Sequence, residues 1–163
     1  LSIFCYSASK TFGVYGCRVG ALFAFCQDKD MAKEIKQGMG AIARGTYSCP
    51  NGAVCNSIAN MLLNPLVVDD AVSNIKANTA LLQKRGANAR YNLDLNHINY
   101  FNYTNGFYVT LIVKNAYDIC EKLKEKHMYI VPMDDEHIRI CISSITNEEM
   151  ARLTLELGKI INA

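Results

Sequence analysis

Residues 7–20 read S-A-S-K-T-F-G-V-Y-G-C-R-V-G, and their types and spacing could do chemistry. Lys10 offers an amine. A lysine that attacks a carbonyl must be neutral when it does so, and burial or neighbouring positive charge favours that form. Arg18 follows eight residues later, with glycines at 13, 16 and 20. A guanidinium presents a planar fork to phosphate oxygens, and the Ser7 hydroxyl adds a donor. An apolar run, residues 1–6, precedes the stretch. Lys10 is therefore expected at the end of a buried strand, beside a phosphate site. Alone, a lysine reads as solvated surface and an arginine as one half of an ion pair. The register of Ser7, Lys10 and Arg18 favours a site.

Two further arginines stand in suggestive settings. Arg139 lies in H-I-R-I-C-I, where alternation sends Ile138, Ile140 and Ile142 to one face and Arg139 and Cys141 to the other. On pattern alone it reads equally as an exposed strand residue. Arg44 precedes G-T-Y-S-C-P and on its own fits a cation facing a helix C-terminus. Tyr108, within F-Y-V-T-L-I-V, lines a pocket or is simply strand core. The G-M-G-A-I-A run at 38–43 loosely mimics a dinucleotide fingerprint, but it ends a helix instead of following a strand.

The elements that must position these residues follow from periodicity. Residues 1–6 and 19–26 read as buried strands, with Arg18 leading into the second. Residues 30–43 are helical, with Met31, Ile35, Met39 and Ile42 as the apolar stripe and Gly38 and Gly40 weakening it. A turn at 45–52 leads to a helix over 53–63, which Asn64-Pro65 ends. A long helix is expected over 69–91, with Val72, Ile75, Leu82 and Ala89 buried. The Asn-rich stretch 93–103 has no readable period. Residues 107–113 form a strand and 116–126 an amphipathic helix. Residues 128–132 and 137–142 are short strands, separated by the acidic turn 134–136. Thr146 and Glu149 form a capping box that opens a last helix reaching 161.

Composition bounds the rest. The net charge of +2 over 163 residues gives no electrostatic argument for nucleic acid. Seven cysteines without a C-x-x-C fit a reducing, cytoplasmic setting better than a disulfide framework. His97, His127 and His137 lack paired ligand spacing, so no metal is expected. No segment reads as a membrane span or signal peptide, and the chain reads as beginning in the middle of something.

Residues 7–20 resemble the Schiff-base lysine segment of the fold type I pyridoxal 5'-phosphate (PLP) aminotransferases of class I/II. Among these, the aspartate and aromatic amino acid enzymes are most alike. The pattern S-x-x-K, G-x-Y, R-V-G falls on Ser7, Lys10, Gly13, Tyr15, Arg18, Val19 and Gly20. The resemblance continues through A-R-G-T-Y-S-C-P at 43–50 and H-I-R-I at 137–140. It covers nearly the whole chain, but only the C-terminal part of such an enzyme.

The resemblance implies an α/β fold: residues 1–68 as the tail of the large PLP-binding domain, and 69–163 as a linking long helix and a small α+β C-terminal domain. It implies transamination between an amino acid and a 2-oxo acid. Lys10 would hold the cofactor and shuttle a proton, while Ser7 and Arg18 would bind its phosphate. Arg139 would clamp the substrate α-carboxylate. Arg44 would reach across a homodimer to a side-chain carboxylate, and Tyr108 would line the pocket. His137, Ile138, Cys141, Cys49 and Asn51 depart from the family's pattern. The family's pyridine-nitrogen acid and ring-stacking aromatic lie upstream of the lysine. The chain alone is therefore expected to have little or no activity. A PLP-dependent lyase of the same fold, and a non-catalytic dimerisation or regulatory module, are the alternatives.

Overall fold

The computed structural model describes residues 1–162. Two compact units form, Leu1–Ile75 and Lys76–Ala163. The fold is α/β, as expected. Among the described residues no helix is long and apolar enough to cross a membrane.

In the first unit, β1 (Ser2–Ser7) and β2 (Gly20–Phe25) pair antiparallel, from Ser2 opposite Phe25 to Ser7 opposite Gly20. The expected burial of these strands is not realised. Ile3, Phe4, Leu22, Phe23 and Phe25 are all exposed, although Phe4 and Phe23 place their rings 6.0 Å apart. Two strands have two faces and two edges, and a lone pair cannot cover them. The connection between them holds a single helical turn, α1 (Ala8–Thr11), and a 3-10 turn at Tyr15–Cys17. Within this unit the only buried residues are Ala8, Ser9 and Val19, all in that connection.

Helix α2 (Lys29–Thr46) is capped by Asp28, whose carboxylate accepts the Asp30 and Met31 amides. It runs through Gly38 and Gly40 without a break. Its stripe is only partly covered, and Met31 and Ile42 are exposed. Helix α3 (Gly52–Leu63) starts at Asn51, whose side chain accepts the Val54 amide. Pro65 ends α3, as expected, and also opens α4 (Pro65–Leu95). Proline fits a first helical position because the amide it lacks would have no helical partner there. The Asn64 side chain accepts the Leu66 amide at 2.9 Å. α4 thus starts earlier and ends later than the spacing predicts. Its buried residues are Gly86, Ala89, Asn92 and Leu93, while Val72 is exposed.

The second unit builds its own core. Strands β3 (Tyr108–Ile112), β4 (Val131–Pro132) and β5 (His137–Cys141) form an antiparallel sheet in the order β3-β5-β4. α5 (Ala116–Lys124) and α6 (Asn147–Ile161) pack with it. Leu93, Leu111, Leu123, Ile138, Ile142 and Leu157 are almost wholly buried. The Thr146–Glu149 capping box forms as expected, and Lys126 pairs with Glu156 of α6. The stretch 93–103 runs beside β3: Tyr100 bridges Leu111, and the Phe101 amide donates to the Thr110 carbonyl. Its asparagines serve the chain locally, since Asn96 donates to the Asn92 carbonyl and to Thr154.

Gly86 is required by a close approach. A β-carbon there would stand 2.8 Å from the Tyr103 hydroxyl, which itself donates to the Gly106 carbonyl. Alanine gains about 1 kcal/mol in helix propensity, whereas overpacking costs about 1–3 kcal/mol. Gly86→Ala is therefore expected to lower the urea midpoint. Gly45→Ala in α2, where a β-carbon meets nothing within 4 Å, is expected to leave it unchanged or raise it.

Candidate active site

The lysine loop is closed by backbone. The Ala8 amide donates to the Val19 carbonyl at 3.1 Å, directly beyond the Ser7–Gly20 pair. A β-carbon at Gly20 would sit 2.5 Å from the Tyr6 carbonyl oxygen, so only glycine allows the strands this approach. Gly13 turns the chain at φ +67. Gly16 has open space around it, so it has no such requirement. Arg18 itself takes the left-handed conformation, φ 53, closing the 3-10 turn.

Ser7 caps α1, its hydroxyl accepting the Ser9 amide through a long bond of 3.4 Å. Lys10 stands on the same helical turn, with Nζ 4.2 Å from the centroid of the Tyr15 ring. Arg18 Cζ lies 5.0 Å from that centroid, and its Nη1 donates to the Tyr15 carbonyl at 3.1 Å. Ser7, Lys10 and Arg18 are thus brought together on one loop. Tyr15, which spacing alone did not single out for a role, is the ring both cations share. Its signal was its place three residues before Arg18, within one turn.

A groove of about 540 Å³ opens beside the loop, lined by Cys17, Arg18, Gly20, Tyr47, Cys49 and Pro50, among others. The 43–50 motif therefore meets the lysine motif at Arg18. Arg44 is not among the lining residues. It sits exposed in the last turn of α2 and donates to the Ser48 hydroxyl at 3.3 Å, with Ser48 at φ 70.

The second unit holds the other two candidates. Arg139 is exposed on β5, opposite Thr110, and its guanidinium lies 4.7 Å from the Tyr108 ring centroid. Its neighbours Ile138 and Ile140 are buried, so the alternation read from the sequence holds. On the Arg139 side of β5, His137 Nδ1 lies 2.7 Å from an Asp134 oxygen and its ring stacks on Phe101. That hydrogen bond, with the Glu136 amide, holds the Asp134 carboxyl below the usual range.

Comparison with known proteins follows this geometry. A family model described as "Aminotransferase class I and II" matches residues 2–156. The cytoplasmic aspartate aminotransferase of Gallus gallus is 28% identical over 151 residues, covering 85% of this chain and 34% of its own length. An aminotransferase structure from Anaerococcus prevotii superposes with a TM-score of 0.89 at 22% identity, over 97% of this chain and 38% of that one. A Thermus thermophilus aspartate aminotransferase solved with maleate gives 0.76 at 16% identity, over 97% and 41%. The chain spans about a third of the curated relative's length and about two fifths of those of the two structures.

Cys141, two residues from Arg139, differs from Cys120 for a physical reason. Burial raises its pKa, but hydrogen bonds with Ser143 and Ser144 outweigh that and leave it below the ordinary thiol value. The sulfur lies 3.1 Å from the Ser143 hydroxyl. Burial pushes the Cys120 thiol up. Since the thiolate is the reactive form, iodoacetamide should label Cys141 at a lower pH than Cys120. Peptide mapping of the alkylated chain reads this directly. Ser143→Ala should shift the Cys141 profile to higher pH.

Proposed function

From the premise that the chain belongs to the aminotransferase class I and II family, we propose that it serves PLP-dependent transfer of an amino group between an amino acid and a 2-oxo acid. The observation that carries this reading is the convergence of the Lys10 amine and the Arg18 guanidinium on one ring, beside Ser7. The loop bearing them holds all the buried residues of its unit.

The residues present fit the cofactor. Its phosphate needs cationic and hydroxyl donors, which Arg18 and Ser7 supply. Its aldehyde needs a lysine amine, which Lys10 supplies. Bound PLP acts as an electron sink for the substrate α-carbon. Arg18 would neutralise and orient the phosphate, on a loop tied by the Ala8–Val19 bond. Lys10, on the helical turn that Ser7 caps, would take a proton from the substrate α-carbon and return it. A base fixed within reach is worth about 10²–10⁴ in rate.

Arg139 is the proposed partner of the substrate α-carboxylate, which a guanidinium binds through two parallel hydrogen bonds. Its position on a strand whose opposite face is buried limits its movement, and Tyr108 backs it. Arg44 is proposed to recognise a side-chain carboxylate across a homodimer. The similarity to aspartate aminotransferases, one of them solved with the dicarboxylate maleate, supports that preference. We assign residues 1–68 to the tail of a large cofactor domain and 69–163 to the linking helix and small domain. The cytoplasmic relative supports a cytoplasmic site of action.

The test uses the polypeptide as its gene encodes it. Lys10→Ala is expected to abolish the visible cofactor band and borohydride fixation at this position. Arg139→Lys removes the bidentate fork, about 1.5–3 kcal/mol, so KM for the amino acid should rise about ten- to a hundredfold. Arg44→Ala should raise KM for aspartate and spare an aromatic substrate. Unchanged cofactor binding in Lys10→Ala would sink the reading.

A further inference from the structure

We infer that Tyr15 is a positioning residue of the cofactor site: its ring is the shared partner of Lys10 Nζ and the Arg18 guanidinium. The inference rests on the proposed function and adds a residue to it. The geometry is specific. Lys10 Nζ stands 4.2 Å and Arg18 Cζ 5.0 Å from one ring centroid, and Arg18 also donates to the Tyr15 carbonyl.

Residues 7–20 contain no Asp or Glu. The negative face of an aromatic ring attracts a cation without carrying net charge. That distinction matters for an anion site. A carboxylate partner would hold the cations equally well, but it would cancel their field and repel a phosphate. A tyrosine ring attracts both side chains and, carrying no net charge, adds nothing that repels a phosphate. The backbone reinforces the arrangement. Tyr15 opens the 3-10 turn that Arg18 closes in a conformation its β-carbon disfavours, so side chain and main chain of one residue hold the same guanidinium.

The experiment compares the gene-encoded polypeptide with Tyr15→Phe and Tyr15→Leu. Each is treated with PLP, reduced with borohydride and mapped by mass spectrometry. The readout is the label on Lys10 relative to the exposed Lys33 and Lys36 of α2. Circular dichroism checks that each variant folds. Phenylalanine keeps the ring face and leucine removes it. Native and Tyr15→Phe proteins should label Lys10 selectively, and Tyr15→Leu should lose about five- to thirtyfold of that selectivity, as expected for two contacts of this kind. Equal selectivity in Tyr15→Leu would overturn the role of Tyr15 and leave Lys10 as the cofactor lysine. An equal loss in both variants would also overturn it, by assigning the effect to the hydroxyl. No preference for Lys10 in the native protein would overturn the proposed function, and this inference with it.

Discussion

The contact on which the candidate site depends is the approach of Gly20 to the Tyr6 carbonyl. A β-carbon at residue 20 would overlap that oxygen at 2.5 Å. Without it, β1 and β2 pair down to Ser7, and the Ala8 amide closes on Val19. That closure returns the chain to its starting point after a twelve-residue excursion, so Arg18 comes back beside the turn bearing Ser7 and Lys10. Residues eight or eleven apart in sequence share a site because of this one close backbone approach. The loop also concentrates the little burial its unit has, with Ala8, Ser9 and Val19 covered while the strands that support them stay open.

Charge explains what the loop is built to do. It brings an ammonium and a guanidinium together with no carboxylate among its own residues. A ring attracts each of them modestly, at about 0.5–1 kcal/mol per exposed contact, and unlike a carboxylate it adds no negative charge. Arg139 follows the same pattern in the other unit, where its guanidinium lies over Tyr108. In both places an aromatic ring lies beside a cation and carries no net charge of its own. The contrast is Glu156, which Lys126 and Lys159 together hold at about 2 and which therefore serves as a surface ion-pair network.

Much of this was legible in the sequence, and the misses have physical causes. The S-x-x-K to R-V-G run marked the loop, and the capping box marked the start of α6 to the residue, because both depend on local chemistry. The alternation around Arg139 was readable because β5 has one buried face. Burial of β1 and β2 was misjudged, since an apolar run states a strand's preference and not whether a layer exists to cover it. The stripe assigned to α4 holds only in part, for a related reason: Ala89 is buried and Leu82 packs against the core, but Val72 is exposed because only the C-terminal third of the helix is covered. Residues 93–103 gave no period because their order comes from pairing with β3 and from asparagine-to-backbone bonds. Tyr15 stood in the G-x-Y of the motif without a role, because a ring's partners are set by a turn, and turns carry no hydrophobic period.

The two units reach precision by different means. In the second, a core of fully buried Leu and Ile side chains fixes the sheet, and Arg139 inherits its position from Ile138 and Ile140 on either side. Moving that arginine means moving the core. In the first unit no such core stands behind Lys10. Its position draws on the Gly20 approach, the Ala8–Val19 hydrogen bond, a short helical turn and the Tyr15 ring. Interactions of that kind are individually small, about 1 kcal/mol each, and they are exposed to competition from water. A group that bound both Arg18 and Lys10 would tie the two ends of the loop through the residues it needs. Binding and ordering would then be a single event, in which the ligand supplies the rigidity that packing supplies to Arg139.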